Sequence, residues 1–224
     1  MRSAFGASKQ AVKREAAIIT FLAGAAFLIF AAEPGQNDDW KLVKQSSGVA
    51  IYSRPHAGSR LKEFKAVGEI DAPTETVHKV IDDVEAYPSF MPYTTECRVI
   101  ERNSDSILTY QRLSPKIVSD RDYTLRIEKK SWPTQNGSAY LNRWKPANEH
   151  GPAEKPGVFR VKLCDGSWLL EPTSEGKTLA TYFVFTDSGI TVPPFLANTI
   201  SETGISKLFA AVRKQAKDPK YQAK

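Results

Sequence analysis

Cysteine, histidine and methionine are scarce in this chain of 224 residues. It has two cysteines (Cys97, Cys164), three histidines (His56, His78, His150) and two methionines. None of the histidines and cysteines stand at metal-ligand spacing, which argues against zinc or iron sites. The two cysteines are far apart in sequence and read as unpaired, partly buried thiols. No histidine is placed to activate Ser119 beside Asp120, so a nucleophile–base pair is missing. Asp120 and Asp122 read as turn and surface groups rather than an acid/base couple. There is no glycine pattern to cradle phosphate, and no cofactor is expected. Internal repeats and low-complexity tracts are also missing.

Charge of one sign is modest once it is divided along the chain. Of the net +6, residues 1–32 hold half: Arg2, Lys9, Lys13 and Arg14 against Glu15. The rest is only mildly basic and does not support nucleic-acid binding. Its positive end (Lys207, Arg213, Lys214, Lys217, Lys220, Lys224) reads as a solvated helix face that could make transient membrane contact. The basic start precedes an uncharged apolar run, Ala16–Ala32, closed by Glu33-Pro34-Gly35-Gln36. That order predicts a signal peptide or N-terminal membrane anchor over 1–32 and a linker over 33–39, hence an exported, periplasmic or secreted domain.

The remaining chain is rich in strand signals. Trp40-Lys41-Leu42-Val43 is a short amphipathic element, and Gly48 turns the chain into a strand at Val49–Tyr52. A second strand runs from Leu61 to Ile70. Asp71-Ala72-Pro73-Thr74 starts a helix whose stripe is Val77, Val80, Ile81 and Val84. Tyr87–Pro92 breaks it. Strands follow at Thr95–Glu101, Ile107–Leu113, Asp120–Lys129, Ala139–Trp144, Val158–Leu163, Ser167–Glu171 and Thr178–Thr186. Asn136-Gly137 marks a hairpin, and Asp165-Gly166 a turn or bulge. Strands joined this closely pair mostly antiparallel, so the class is α+β.

Parity sorts the side chains. Tyr123, Leu125 and Ile127 share the inner face with Arg121, while Thr124, Arg126 and Glu128 face out. Cys97 and Val99 look inward in their strand. Phe159, Val161 and Leu163 oppose Arg160 and Lys162. An inward arginine needs a carboxylate, carbonyls, water or a ligand; bending to solvent at a frayed strand start is the alternative. The last helix, from Pro194 to about Ala216, has Ala197, Ser201, Gly204, Ile205, Leu208 and Val212 on one face. Small residues line its first half and aliphatics its second. Either the small half packs closely on the sheet, or it roofs a space.

Trp40-Lys41-Leu42-Val43 with Gly48–Arg54, Pro115–Tyr123, Asp165–Pro172 and Gly189–Pro194 together resemble START domains, the StAR-related lipid-transfer family, over Trp40 to about Lys214. The resemblance implies a helix-grip fold over 40–217, with 218–224 as a tail. A curved antiparallel sheet would wrap the C-terminal helix around a hydrophobic tunnel. It implies binding, and possible transfer, of a lipid or sterol-like ligand by a monomer. Arg121 matches the family's tunnel arginine and Glu96 its acidic partner. Tyr110, Trp144, Trp168 and Tyr182 are candidates for the wall, and Ala197, Ile200, Ser201 and Gly204 for the roof. Lys145–Pro156 falls where the family has a mobile loop, so a lid parting from the last helix is expected there, against a plain surface loop. The alternatives are a helix-grip enzyme of the cyclase or aromatase kind and a ligand-free interaction module. The missing catalytic clusters favour a binding protein over an enzyme.

Overall fold

The structure, a computed structural model, describes residues 39–59, 61–116, 118–187 and 194–222, with only the backbone given for 194–200. The expected leader and most of the linker lie outside the described residues. Strands β1 (Lys41–Ser46), β2 (Val49–Pro55) and β3 (Lys62–Ile70) come first, then helix α1 (Thr74–Asp82). A 3-10 turn at Val84–Ala86 leads into the single-turn helix α2 (Tyr87–Phe90). Next come β4 (Thr94–Arg102), β5 (Ser106–Leu113), β6 (Arg121–Thr134), β7 (Gly137–Pro146), β8 (Phe159–Arg160), β9 (Leu163–Pro172) and β10 (Thr178–Asp187). The long helix α3 (Pro194–Gln215) closes the domain. The sheet has 10 strands in the order β1-β2-β3-β10-β9-β7-β6-β5-β4, with β8 beside β6. Every pairing is antiparallel except the short β6–β8 contact.

Local chemistry explains the framework. Ser47 and Gly48 both take positive φ (51° and 67°) in the tight β1–β2 hairpin, the geometry that matches strand twist. The expected helical stripe is present: Val77, Val80 and Val84 are all 0% exposed. Thr74 Oγ1 donates to the Ser138 carbonyl and Thr178 Oγ1 to the Ala72 carbonyl, tying α1 to the sheet. Burial of these apolar side chains stabilises the docking by roughly 25 cal/mol per Å².

Helix α3 seals its second half with Ile205, Phe209 and Val212, followed by Ala216 just past its end, all buried. Phe209 was not on the face read from the sequence. It packs on Trp168 with centroids 5.2 Å apart, and Gly68 leaves it room, since a Cβ there would lie 3.1 Å from the ring. Arg213 fastens this end by donating to the carbonyls of Ser47, Gly48 and Glu69. The domain continues past residue 217. Tyr221 is 3% exposed and donates to Asp83 Oδ2 at 2.8 Å, beside the Lys220–Asp83 ion pair.

Two expected strands differ. Val158–Leu163 is not a regular strand: only Phe159 and Arg160 pair, parallel to Arg121 and Asp122. Arg160 is buried against Asp122 on the outer face of β6 while Phe159 is exposed, so the expected parity fails at these two residues, although Val161 is buried as expected. Gly166 makes neither turn nor bulge. β9 runs straight through it, paired to Trp144 on one side and Val184 on the other.

Candidate functional site: a cavity between the sheet and the last helix

Between the inner sheet face and the first part of α3 lies a cavity of about 310 Å³, within the lower range of small-molecule sites. Strand parity builds it. β6 contributes Arg121, Tyr123, Leu125 and Ile127, β5 adds Gln111 and Leu113, and β10 adds Tyr182, Val184 and Thr186. Asn142 and Trp144 enter from β7, Cys164 and Trp168 from β9, and Ile81 from α1. Met91–Thr94, Pro115 and Val118 form one rim, facing Ser201, Gly204, Ile205 and Leu208 of α3.

Three aromatic residues shape the wall. Tyr182 touches both indoles, with its centroid 4.7 Å from Trp168 and 5.8 Å from Trp144. Trp144 lies across β9 because residue 166 has no side chain: a Cβ on Gly166 would sit 2.3 Å from Trp144 Cζ2 and 2.6 Å from the Phe183 carbonyl. Here the glycine serves close approach inside a strand. At Gly204 the opposite holds, since an added Cβ meets nothing within 4 Å. Open space above Gly204 decides between packing and roofing in favour of roofing.

Burial favours the neutral form of four ionisable groups of this wall. Burial pushes the Cys164 thiol up to about 11, and burial likewise raises the Tyr87, Tyr123 and Tyr182 hydroxyls. Arg121, 5% exposed, is pulled below its usual pKa by the same desolvation. Its Nη1 donates to the Ser119 carbonyl, one of the partners an inward arginine requires. Neither cysteine is bonded to the other; both are free and buried, with Cys97 also raised to about 11 by burial.

Of the wall and roof residues expected from sequence, the structure brings together Arg121, Trp144, Trp168, Tyr182, Ser201 and Gly204. The side chains of Ala197 and Ile200 lie outside the described residues. Glu96 does not join them. A register shift between Thr94 and Glu96 leaves Cys97 facing the core, and the Glu96 carboxylate turns outward to Arg98 Nε at 3.4 Å. Tyr110 is also misplaced by the expectation. It is 0% exposed, yet on the opposite sheet face from Gln111, where its hydroxyl donates to Asp122 Oδ2 at 3.0 Å.

That outer face also corrects two further readings. Asp122 is a deeply buried ion-pair partner rather than a surface group: Arg160 Nε donates to its Oδ1 at 2.7 Å, with the side chains 6% and 1% exposed. Arg160 also donates to the Pro152 carbonyl at 3.0 Å. Asn148 accepts from the Thr124 amide and donates to the Val161 carbonyl, each at 2.8 Å. The Lys145–Pro156 segment is thus latched onto the outside of β6, and none of its residues lines the cavity. The expected lid is not over the site. Gln111, Asn142, Leu113 and the Met91–Thr94 rim were missed by sequence reading. Gln111, Leu113 and Asn142, which lie within strands, carried a signal, through alternation with their neighbours.

Comparison with known proteins agrees with this geometry. Residues 70–213 match the family described as polyketide cyclase / dehydrase and lipid transport. An uncharacterized protein of Pseudomonas aeruginosa is 30% identical over 81% of this chain and 87% of its own length. Human phosphatidylcholine transfer protein is 21% identical over 75% of this chain and 78% of its own. Among solved structures, a STAR-related lipid transfer protein from Xanthomonas axonopodis superimposes with a TM-score of 0.72 at 25% identity, covering 81% of this chain and all (100%) of that one. The chain belongs to the polyketide cyclase / dehydrase and lipid transport family and has the α+β helix-grip fold of its StAR-related members.

Proposed function

We propose that this protein binds a lipid-like molecule in the cavity under α3 and carries it across an aqueous space. The observation that carries this reading is the open, largely apolar space between Gly204 and the Trp144–Tyr182–Trp168 wall. Removing an apolar ligand from water into it contributes roughly 25 cal/mol per Å² buried. Arg121 supplies donors for the ligand's polar end, and charge-assisted bonds of this kind are the stronger ones. Wall groups held neutral by burial suit containment better than proton transfer, which needs pKa values near the working pH. The lipid-transfer relatives support the same reading.

The proposed place of action rests on reading residues 1–32 as a leader or membrane anchor: an exported, periplasmic or secreted monomer, free or anchored through 16–32, that touches membranes transiently. Native mass spectrometry of the full chain, purified from its host with gentle extraction, tests the binding. A co-purified or exchangeable lipid adduct is expected. An empty protein that takes up nothing from a broad lipid panel would defeat the reading, and turnover of a polyketide-like substrate would replace it with the catalytic one.

A further inference from the structure

Gln111 gives the cavity wall a donor that the fold itself does not use. It enters from β5 on the inner face and is 6% exposed. Its Oε1 accepts from the Tyr123 hydroxyl at 3.4 Å. The amide nitrogen carries two hydrogens. It has no hydrogen-bond partner among the described residues, and it keeps accessible surface at the cavity rather than being sealed off. A polar group so deep in an apolar wall is served when an acceptor comes to it.

Strand register sets this amide beside Arg121. β5 pairs with β6 so that Gln111 faces Tyr123 and Leu113 faces Arg121. Gln111 and Arg121 are therefore diagonal neighbours on the inner face, with Cβ atoms about 7–8 Å apart. Two side chains of this length can converge on one small group. Arg121 is the one ionised side chain among the described lining residues, and no aspartate or glutamate is among them. This end of the cavity is positive and rich in donors.

We propose that Arg121 and Gln111 Nε2 together hold a carboxylate, so that the cargo is a single-chain fatty acid with its ionised head against β5 and β6. This rests on the reading of the cavity as a ligand site. With Gln111 Oε1 taken by Tyr123, the guanidinium and the amide present hydrogens there, and a carboxylate presents acceptors alone. Desolvation pulls Arg121 below its usual pKa, and an anion against it offsets that cost. An amine head would meet the charge of Arg121, and an ester or alcohol brings acceptors without charge. At about 310 Å³ the cavity is small for a ligand site, which suits one chain rather than two.

The test uses the full chain at pH 8, where the acid is ionised, and three matched probes: tetradecanoate, its methyl ester and tetradecanol. Each competes against a neutral fluorescent lipid analogue. Wild type is expected to hold the acid roughly tenfold more tightly than the ester. Gln111→Glu keeps the shape but sets a carboxylate beside Arg121, so it should reverse that order while still taking up the alcohol. Gln111→Leu, which removes the donor alone, should lower the acid-to-ester ratio several-fold. A wild type that holds ester or alcohol as tightly as acid overturns the inference and leaves the carrier function standing. An unchanged ratio in both variants, or in whichever of them folds, overturns it too. So does a bound analogue that none of the probes displaces. Failure to bind the analogue or any probe removes the carrier reading as well.

Discussion

Along β6, Arg121, Tyr123, Leu125 and Ile127 look into the cavity, whereas Asp122 and Thr124 look out beneath the 147–161 connection. The two faces treat ionisable groups in opposite ways. Inside, burial without ionic partners keeps the Tyr123, Tyr182 and Cys164 side chains neutral. Outside, Asp122 is equally dry but meets Arg160 and the Tyr110 hydroxyl in close geometry. The apolar face is the one left open, and the charged face is the one filled. A single strand thus separates a space for a guest from a lock that holds the sheet's own connection.

Breaking the lock should have the largest effect. Asp122→Ala leaves Arg160 buried without its carboxylate, which costs about 3–5 kcal/mol. Urea unfolding should show the loss, and Asp122→Leu combined with Arg160→Met should recover most of it. Were Asp122→Ala as stable as wild type, the outer face would not be the anchor described. Next is Gly166→Ala, whose Cβ would collide with Trp144 and the Phe183 carbonyl. About 1–3 kcal/mol of destabilisation is expected, with altered tryptophan fluorescence. An unshifted unfolding midpoint would contradict the close approach.

The neutral inner face predicts a pH limb of its own. Cys97 and Cys164 keep their protons up to about 11 in the folded state, whereas unfolded thiols ionise near 8.5. The unfolded state therefore binds fewer protons between these values, and stability falls as pH rises from about 9 toward 11. Urea midpoints at pH 8 and 10 should diverge less in the Cys97→Ala/Cys164→Ala variant than in wild type. Equal divergence would remove the thiols from this account. The smallest effect is expected at Glu96, an exposed partner of Arg98. Glu96→Gln should change stability by under about 1 kcal/mol and leave lipid uptake alone; a loss of uptake would return Glu96 to the site.

Alternation made the inner face legible before any coordinates. Tyr123, Leu125 and Ile127 fixed its parity, and Arg121 followed with them. The step from small to large residues along α3 left close packing and a roofed space balanced at Gly204, and the family resemblance favoured the space. What alternation could not show was where regular pairing stops. The two-residue parallel contact at Phe159–Arg160 breaks the count, so the burial of Arg160 was not legible. Glu96 was placed in the site by the family resemblance, whereas alternation with Cys97 and Val99 already pointed it outward, where it lies. Tyr110 failed for another reason: a fully buried aromatic resembles a cavity wall, yet here a folded-back connection covers the second face. Gly166 was taken for a turn or a bulge within a longer strand, because sequence shows a missing side chain but not the indole that requires it.

The central claim, that the space beneath Gly204 holds the guest, is tested most directly by Gly204→Leu. The measured quantity is uptake of a fluorescent lipid analogue by variant and wild type, with thermal stability followed alongside. Uptake at least tenfold weaker with the melting temperature maintained is the result expected, because the new side chain fills open space. Undiminished uptake by a stably folded Gly204→Leu protein would contradict the claim.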